Sequence, residues 1–251
     1  MYSYPDDAFD WIQSGREKFS PRTETDWTGV PVSGLITAQF EAYAKILHRI
    51  EATYKNIDNP LTDRESESLK IPKCKELRSV VESLRAERLG PRVRWRTLAH
   101  LLRVPFQAEI CREWFRTTMK EPGCWPRLLV GPEEGFLNDE ELIEVVSILA
   151  PFTSNQDCFF RFSEMATNKP LLFHGILDEL RGFLADEKYR VTPEYWWPAD
   201  RTWCLCSDYD LAFTFVGGSK ELISSLRASS ILETLEVTPQ TRVDYLAPIP
   251  K

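Results

Sequence analysis

Along the first half of the chain the apolar residues fall at helical intervals. Ile36, Phe40, Tyr43, Ala44, Leu47, Ile50 and Tyr54 recur three and four apart, which predicts an amphipathic helix over 35–56, ended by the polar run from Asn56 to Pro60. Cys74, Leu77, Val80, Val81 and Leu84 line one face of a second helix that stops near Leu89, Gly90 and Pro91. Shorter helices over 95–102 and 107–119 follow, separated at Pro105 and stopped by Pro122 and Gly123. Ahead of them, residues 1–34 are aromatic, polar and turn-rich and read as an irregular arm with a short helix around 7–13. Residues 60–72 read as a polar connector with a helical turn starting at Asp63.

After Pro126 the pattern changes. Residues 127–130 form a short apolar strand candidate ending at Gly131 and Pro132. Asn138 stands where a helix N-cap is expected, with Glu141 three residues on as in a capping box, and Leu142, Val145, Val146 and Leu149 make the buried stripe. Strands are expected over 157–163, 171–173, 202–207, 210–216 and 232–237. Asp208 and Tyr209 stand at a reversal, and helices are expected over 176–184 and 220–228. Together these elements predict an α+β protein, with a helical N-terminal half followed by a mixed or antiparallel sheet with packed helices. The regions are an arm over 1–34, a mainly helical part over 35–122 and a sheet-containing part over 123–251, the last two able to form one compact domain.

Charge divides the chain more sharply than periodicity does. The 251 residues carry a net −7, but 1–59 sum to −3, 60–120 to +6 and 121–251 to −10. A basic middle therefore precedes an acidic C-terminal half, and the net charge argues against a general nucleic-acid or anionic-membrane binder. The N-terminus lacks the basic and apolar regions of a secretory signal, and no apolar run approaches the roughly 20 residues that cross a bilayer. The six cysteines (Cys74, Cys111, Cys124, Cys158, Cys204, Cys206) are scattered and read as reduced thiols of a cytoplasmic protein.

Several segments carry a resemblance. Phe40-Glu41-Ala42-Tyr43-Ala44-Lys45-Ile46-Leu47-His48, Trp95-Arg96-Thr97-Leu98-Ala99, residues 195–203, 208–210 and 214–219, and Leu232-Glu233-Thr234-Leu235 are spread over most of the chain. They resemble a family of bacterial, largely actinomycete-type, cytosolic hypothetical proteins without an assigned activity. The resemblance implies a bacterial protein that co-occurs as one unit, and it transfers no catalytic residue.

The candidate chemistry is thin, and each motif has a plain structural explanation beside it. Cys204 and Cys206 lie on one face of a strand, but no Cys-x-x-Cys occurs, so core packing is favoured over a metal site. Asp208 and Asp210 flank Tyr209 and could present two carboxylates; acidic residues equally suit the backbone of a turn. Gly217, Gly218 and Ser219 join strand to helix without the lysine of a P-loop, so Ser219 is expected as an N-cap with the glycines permitting the turn. His48, His100 and His174 are far apart and read as structural or surface residues. No cofactor and no metal are called for.

Three functional readings follow. The leading one is a non-catalytic protein-binding protein, of immunity or inhibitor type, that occludes a basic partner such as a toxin nuclease. It would use an acidic and aromatic surface of Trp196, Trp197, Asp200, Asp208 and Asp210, with Trp203 as a further indole, although core packing is expected for at least one of the three indoles. The second is a hydrolase or transferase with Arg201, Asp208, Asp210 and Ser219 gathered at one end of the sheet. The third is a DNA-associated regulator using 85–116, in which Arg88, Arg92, Arg94 and Arg96 would meet phosphates ahead of a helix-turn-helix-like pair. A protein partner is expected ahead of nucleic acid, and no membrane.

Overall fold

The computed structural model describes residues 2–4, 6–18, 29–52, 92–118, 125, 129–162, 170–185, 192–243 and 249. In chain order the strands are β1 Tyr2–Tyr4, β2 Ala42–Leu47, β3 Ile50–Ala52, β4 Arg92–Val93, β5 Leu129–Val130, β6 Asp157–Phe162, β7 Leu171–Ile176, β8 Tyr195–Pro198, β9 Cys204–Cys206, β10 Phe213–Gly218 and β11 Thr234–Val237. The helices are α1 Asp10–Gly15, α2 Val32–Leu35, α3 Trp95–Leu102, α4 Arg112–Arg116, α5 Asp139–Thr153, α6 Leu180–Ala185 and α7 Lys220–Ala228, with 3-10 turns at Asp6–Phe9 and Leu177–Glu179.

The chain divides into two compact units. One comprises Met1–His48 and Glu134–Arg242, and the other Arg49–Glu133 and Val243–Lys251. The boundaries thus fall inside the regions read from the sequence as 35–122 and 123–251. The second unit carries a three-stranded sheet in the order β4-β3-β5, together with α3 and α4. Trp95 and Phe115 pack there at 5.3 Å between ring centroids. No helix among the described residues is long and apolar enough to cross a membrane.

The first unit is built on an eight-stranded sheet in the order β1-β7-β6-β8-β9-β10-β2-β11, in which every neighbouring pair is antiparallel. Residues paired across such a ladder point to the same side. The register therefore sorts Ala44, Ile46, Trp196, Leu205, Val216, Cys158 and Phe160 onto one face. That face is closed by Leu142, Val145, Val146 and Leu149 of α5 and by Leu222, Ile223 and Leu226 of α7. Asn138 caps α5 by accepting the Glu141 N–H at 2.9 Å. Helix α7 is capped in the same way, Ser219 accepting the Leu222 N–H at 3.2 Å.

The opposite face carries Tyr43, Lys45, Phe215, Cys204, Cys206, Tyr195, Trp197, Phe159 and Arg161. The described part of the N-terminal segment closes over the centre of it. Phe9 packs on Tyr195 at 4.8 Å, Trp11 meets Trp197 edge-on at 6.1 Å, and Phe159 stacks on Trp197 at 5.4 Å. Arg16 ties the segment down, donating through Nε to the Gly34 carbonyl at 2.8 Å and through Nη1 to the Tyr195 hydroxyl at 3.1 Å. Tyr195 in turn donates to the Leu35 carbonyl at 2.8 Å. Two further guanidiniums lie over rings of this segment, Arg161 over Phe9 at 4.3 Å and Arg201 over Trp11 at 5.2 Å.

The expected helical N-terminal half is overturned. The described residues are organised around two antiparallel sheets, most of the helices are short, and the helix read over 35–56 is instead α2, β2 and β3 as far as residue 52. The reason lies in where β2 sits. It runs between β10 and β11 and is covered on both faces, so Tyr43, Ala44, Lys45, Ile46 and Leu47 are all buried and no period of two survives. The three-and-four spacing that remained was coincidental. Even Lys45 is fully buried, its ammonium 4.3 Å from the centre of the Phe213 ring. The helix read over 74–84, the connector over 60–72 and Arg88 lie outside the described residues. Among the described residues of the helix read over 107–119 the α-helix is confined to α4, and β8 was not expected at all.

Gly217 and Gly218 also take a different role. They are paired residues of β10, opposite Tyr43 and Ala42, rather than a turn. Glycine is required at 217 because a Cβ there would overlap the Phe40 ring.

Candidate functional site: an acidic turn at one end of the sheet

Strand β9 enters β10 through a turn made by Asp208, Tyr209, Asp210 and Leu211. Its geometry is local chemistry. The Asp208 carboxylate accepts the Asp210 N–H at 2.9 Å, and its carbonyl accepts the Leu211 N–H at 3.0 Å. Outside contacts then fix the turn to the body of the unit. Gly135 donates its N–H to the Leu211 carbonyl at 2.8 Å. It does so at φ +65°, and a Cβ on it would stand 2.6 Å from the Tyr209 Cα, so only glycine fits. Tyr209 is left at the tip, 47% exposed.

Glu194 reaches this end from the start of β8. Its carbonyl accepts the Ser207 N–H at 2.7 Å, and its carboxylate meets Arg161 at 2.7 Å with both side chains largely covered. Burial raises the Glu194 carboxyl above the ordinary glutamate value even though Arg161 pulls the other way. Asp208 is raised too, first by burial, with the Asp210 N–H opposing and the Asp210 charge adding to the rise. The phenol of Tyr209 is pushed up chiefly by Asp210, then by burial and by Asp208 and Glu194. Asp210, Asp208 and Glu194 therefore all bear electrostatically on the Tyr209 phenol, with Arg16 acting on Glu194 and Asp208 from the N-terminal segment.

Beneath the turn runs a buried chain of polar groups. His48 Nε2 lies 2.9 Å from the Thr214 hydroxyl, which lies 2.7 Å from the Ser207 hydroxyl. All three residues are buried, and the His48 N–H donates to the Ala212 carbonyl at 3.1 Å. This network holds the base of the turn across β2, β9 and β10.

The site residues expected from the sequence do not assemble as read. Antiparallel pairing sends β9 and β10 in opposite directions, with Gly217 opposite Cys204 and Phe215 opposite Cys206. Asp200, Arg201 and Ser219 therefore lie at one end of these strands and Asp208 and Asp210 at the other. Six residues of β10 at roughly 3.3 Å each separate them by about 20 Å. The enzyme grouping of Arg201, Asp208, Asp210 and Ser219 is not brought together. Ser219 is the α7 cap already described, and Arg201, at φ +59°, lies over Trp11. Asp200 accepts from the Thr202 N–H at 3.1 Å and hydroxyl at 2.8 Å. Burial opposes its ionisation, but hydrogen bonds involving Gln156 and Thr202 outweigh this and hold its carboxyl below the ordinary value.

The indoles expected at the surface are core residues. Trp196 is 0%, Trp197 1% and Trp203 0% exposed. Strand β8 is central and covered on both faces, so successive side chains enter opposite halves of the core. Cys204 and Cys206 are likewise buried, with thiols pushed up by burial. Cys158 is raised by burial to about 12. Among the described residues no cluster of three or more His, Cys, Asp or Glu side chains is arranged to hold a metal ion.

In the second unit Arg92 lies in β4, Arg94 stands at the N-cap position of α3 without a side-chain cap, and Arg96 is exposed on α3. Helix α4 has only five residues, about 7.5 Å of helix, which is too short for the recognition element of a helix-turn-helix.

Sequence reasoning missed Glu194, Arg161, Arg16 and Tyr195. Arg16 is 179 residues from Tyr195, and Arg161 is 33 from Glu194. No local spacing signals contacts of that range.

The charge cost at Asp208 has a measurable consequence. Its folded-state carboxyl is raised, so ionisation opposes folding. The penalty is absent below the unfolded value of about 3.9 and develops as pH rises through the raised one. Asp208→Asn keeps the oxygen that accepts from Asp210 while removing the charge. It should match the native protein in urea denaturation at low pH and exceed it near neutrality. A variant less stable at pH 7 would show that the carboxylate charge supports the turn.

No protein-family model matches the chain, and comparison with curated proteins and with solved structures gives no match.

Proposed function

We propose that this is a non-catalytic, cytoplasmic protein-binding protein of immunity or inhibitor type, whose acidic unit occludes a basic partner such as a toxin nuclease. The observation that carries the reading is Tyr209, half exposed at the tip of a hydrogen-bonded turn and flanked by Asp208 and Asp210. An exposed aromatic ring next to the exposed carboxylate of Asp210 suits a lysine or arginine side chain, which gains from the ring face and from the charge together. The surrounding charge supports it: the first unit has twenty-five acidic and thirteen basic residues. Such a field steers a basic partner and speeds encounter. Relative to the sequence reading, the binding surface loses Trp196, Trp197 and Asp200 and is placed by this reading at the 208–210 turn.

The test compares tagged native protein with Tyr209→Ala/Asp210→Lys in capture from native cytosol at low and moderate salt. The expected result is a stoichiometric basic protein held by the native chain and bound at least about tenfold more weakly by the variant, mainly through slower association. Equal retention by both, or a captured species that is not basic, overturns the proposal.

A further inference from the structure

The uneven charge of the chain is a division between its two compact units. The unit formed by Arg49–Glu133 and Val243–Lys251 has eighteen basic and thirteen acidic residues, against an excess of twelve acids in the other. Within it, α3 has two contrasting faces. Trp95, Leu98, Ala99 and Leu102 are buried, while Arg96 and His100, one turn apart, are exposed, and exposed Arg103 follows at the C-cap. The helix itself contains no acidic residue. The Arg96 guanidinium lies 4.8 Å from the centre of the half-buried Phe106 ring, so its planar fork is held flat at the surface.

We infer that this face of α3 binds a nucleic-acid strand, with Arg96 and Arg103 on successive phosphates and the platform of Arg96 and Phe106 against a base. A guanidinium held on an aromatic ring offers both a phosphate fork and a stacking surface. Net charge of the whole chain argues against such binding, but contact affinity follows the local field, since charges beyond about 8 Å are screened at physiological salt. This inference stands apart from the proposed function, which concerns the other unit.

The test is fluorescence anisotropy of the full-length protein with a labelled single-stranded 20-mer, in RNA and DNA forms, as salt is raised. Each phosphate contact contributes about −0.7 to the slope of log affinity against log salt on a single strand. Arg96→Glu/Arg103→Asn should therefore shallow the slope by about 1.4, asparagine being chosen because residue 103 has φ 55°. Arg96→Gln alone should shallow it by about half as much, which keeps the test sound if the double variant folds poorly. Glu221→Gln, exposed on α7 of the other unit, should leave the slope unchanged. Binding that is missing at about 20 mM salt, or that keeps its slope in both variants, overturns the inference. Self-association at low salt that the strand does not compete away also overturns it, because the occupant is then the acidic unit of a second copy.

Discussion

Trp197→Ala should lower the folding stability of the first unit by about 4 kcal/mol, read as a shift in the urea midpoint. Trp197 is 1% exposed and is the meeting point of the arm-covered face, stacked on Phe159 and touched by both Phe9 and Trp11. Removing the indole deletes its buried area and leaves a cavity that three rings already committed to other partners cannot fill. The loss should spread to the N-terminal segment, because Phe9 and Trp11 give up a principal contact. Limited proteolysis between native and variant protein should show earlier cutting within residues 6–18. The result also separates two views of this residue. An exposed anchor would cost little stability on truncation and much affinity. A variant as stable as the native protein would restore Trp197 to the surface and remove the basis for placing the binding surface at Tyr209.

Gly135→Ala should cost about 3 kcal/mol and disturb the acidic turn directly. The left-handed conformation at φ +65° penalises any Cβ, and here that atom would press on the Tyr209 backbone at 2.6 Å. Backbone cannot rotate away as a flexible side chain can, so either the 208–210 turn shifts or the hydrogen bond from Gly135 to Leu211 is lost. Both outcomes move Tyr209 relative to Asp208 and Glu194. The variant should therefore lose affinity for a basic partner in proportion beyond its loss of stability, even at temperatures where it is fully folded. Loss of stability with binding intact would mean that the position of the turn does not matter for recognition.

These two residues mark where reading the chain succeeds and fails. Signals that depend on neighbours in sequence were legible. Asn138 caps α5 and Ser219 caps α7, because a cap needs only an oxygen and an amide three residues on. Asp208 bonds the Asp210 amide for the same reason. The helix α3 is found where its apolar residues repeat, since one of its faces is buried and the other solvated. Signals that depend on a second segment misled. In β2 both faces are covered, so the alternation that identifies a strand is erased, and a lysine sits in the core. In β8 the neighbouring tryptophans could not be told from surface anchors, because the arm and the two helices that bury them lie far away in the chain.

The sequence by itself determined the caps, the acidic turn, the helices α3 and α7, the buried stripe of α5 and the separation of charge along the chain. All of these are set by interactions within a few residues or by simple counting. Tertiary structure alone decided that Asp200 and Ser219 stand a strand's length from Asp208 and Asp210. It alone brought Arg16, Arg161 and Glu194 to the Tyr209 end, and assigned the acidic and basic excess to separate compact units. The physical reason is that strand register and sheet order are fixed by pairing between distant segments, each of which carries its own pattern but no record of its partner.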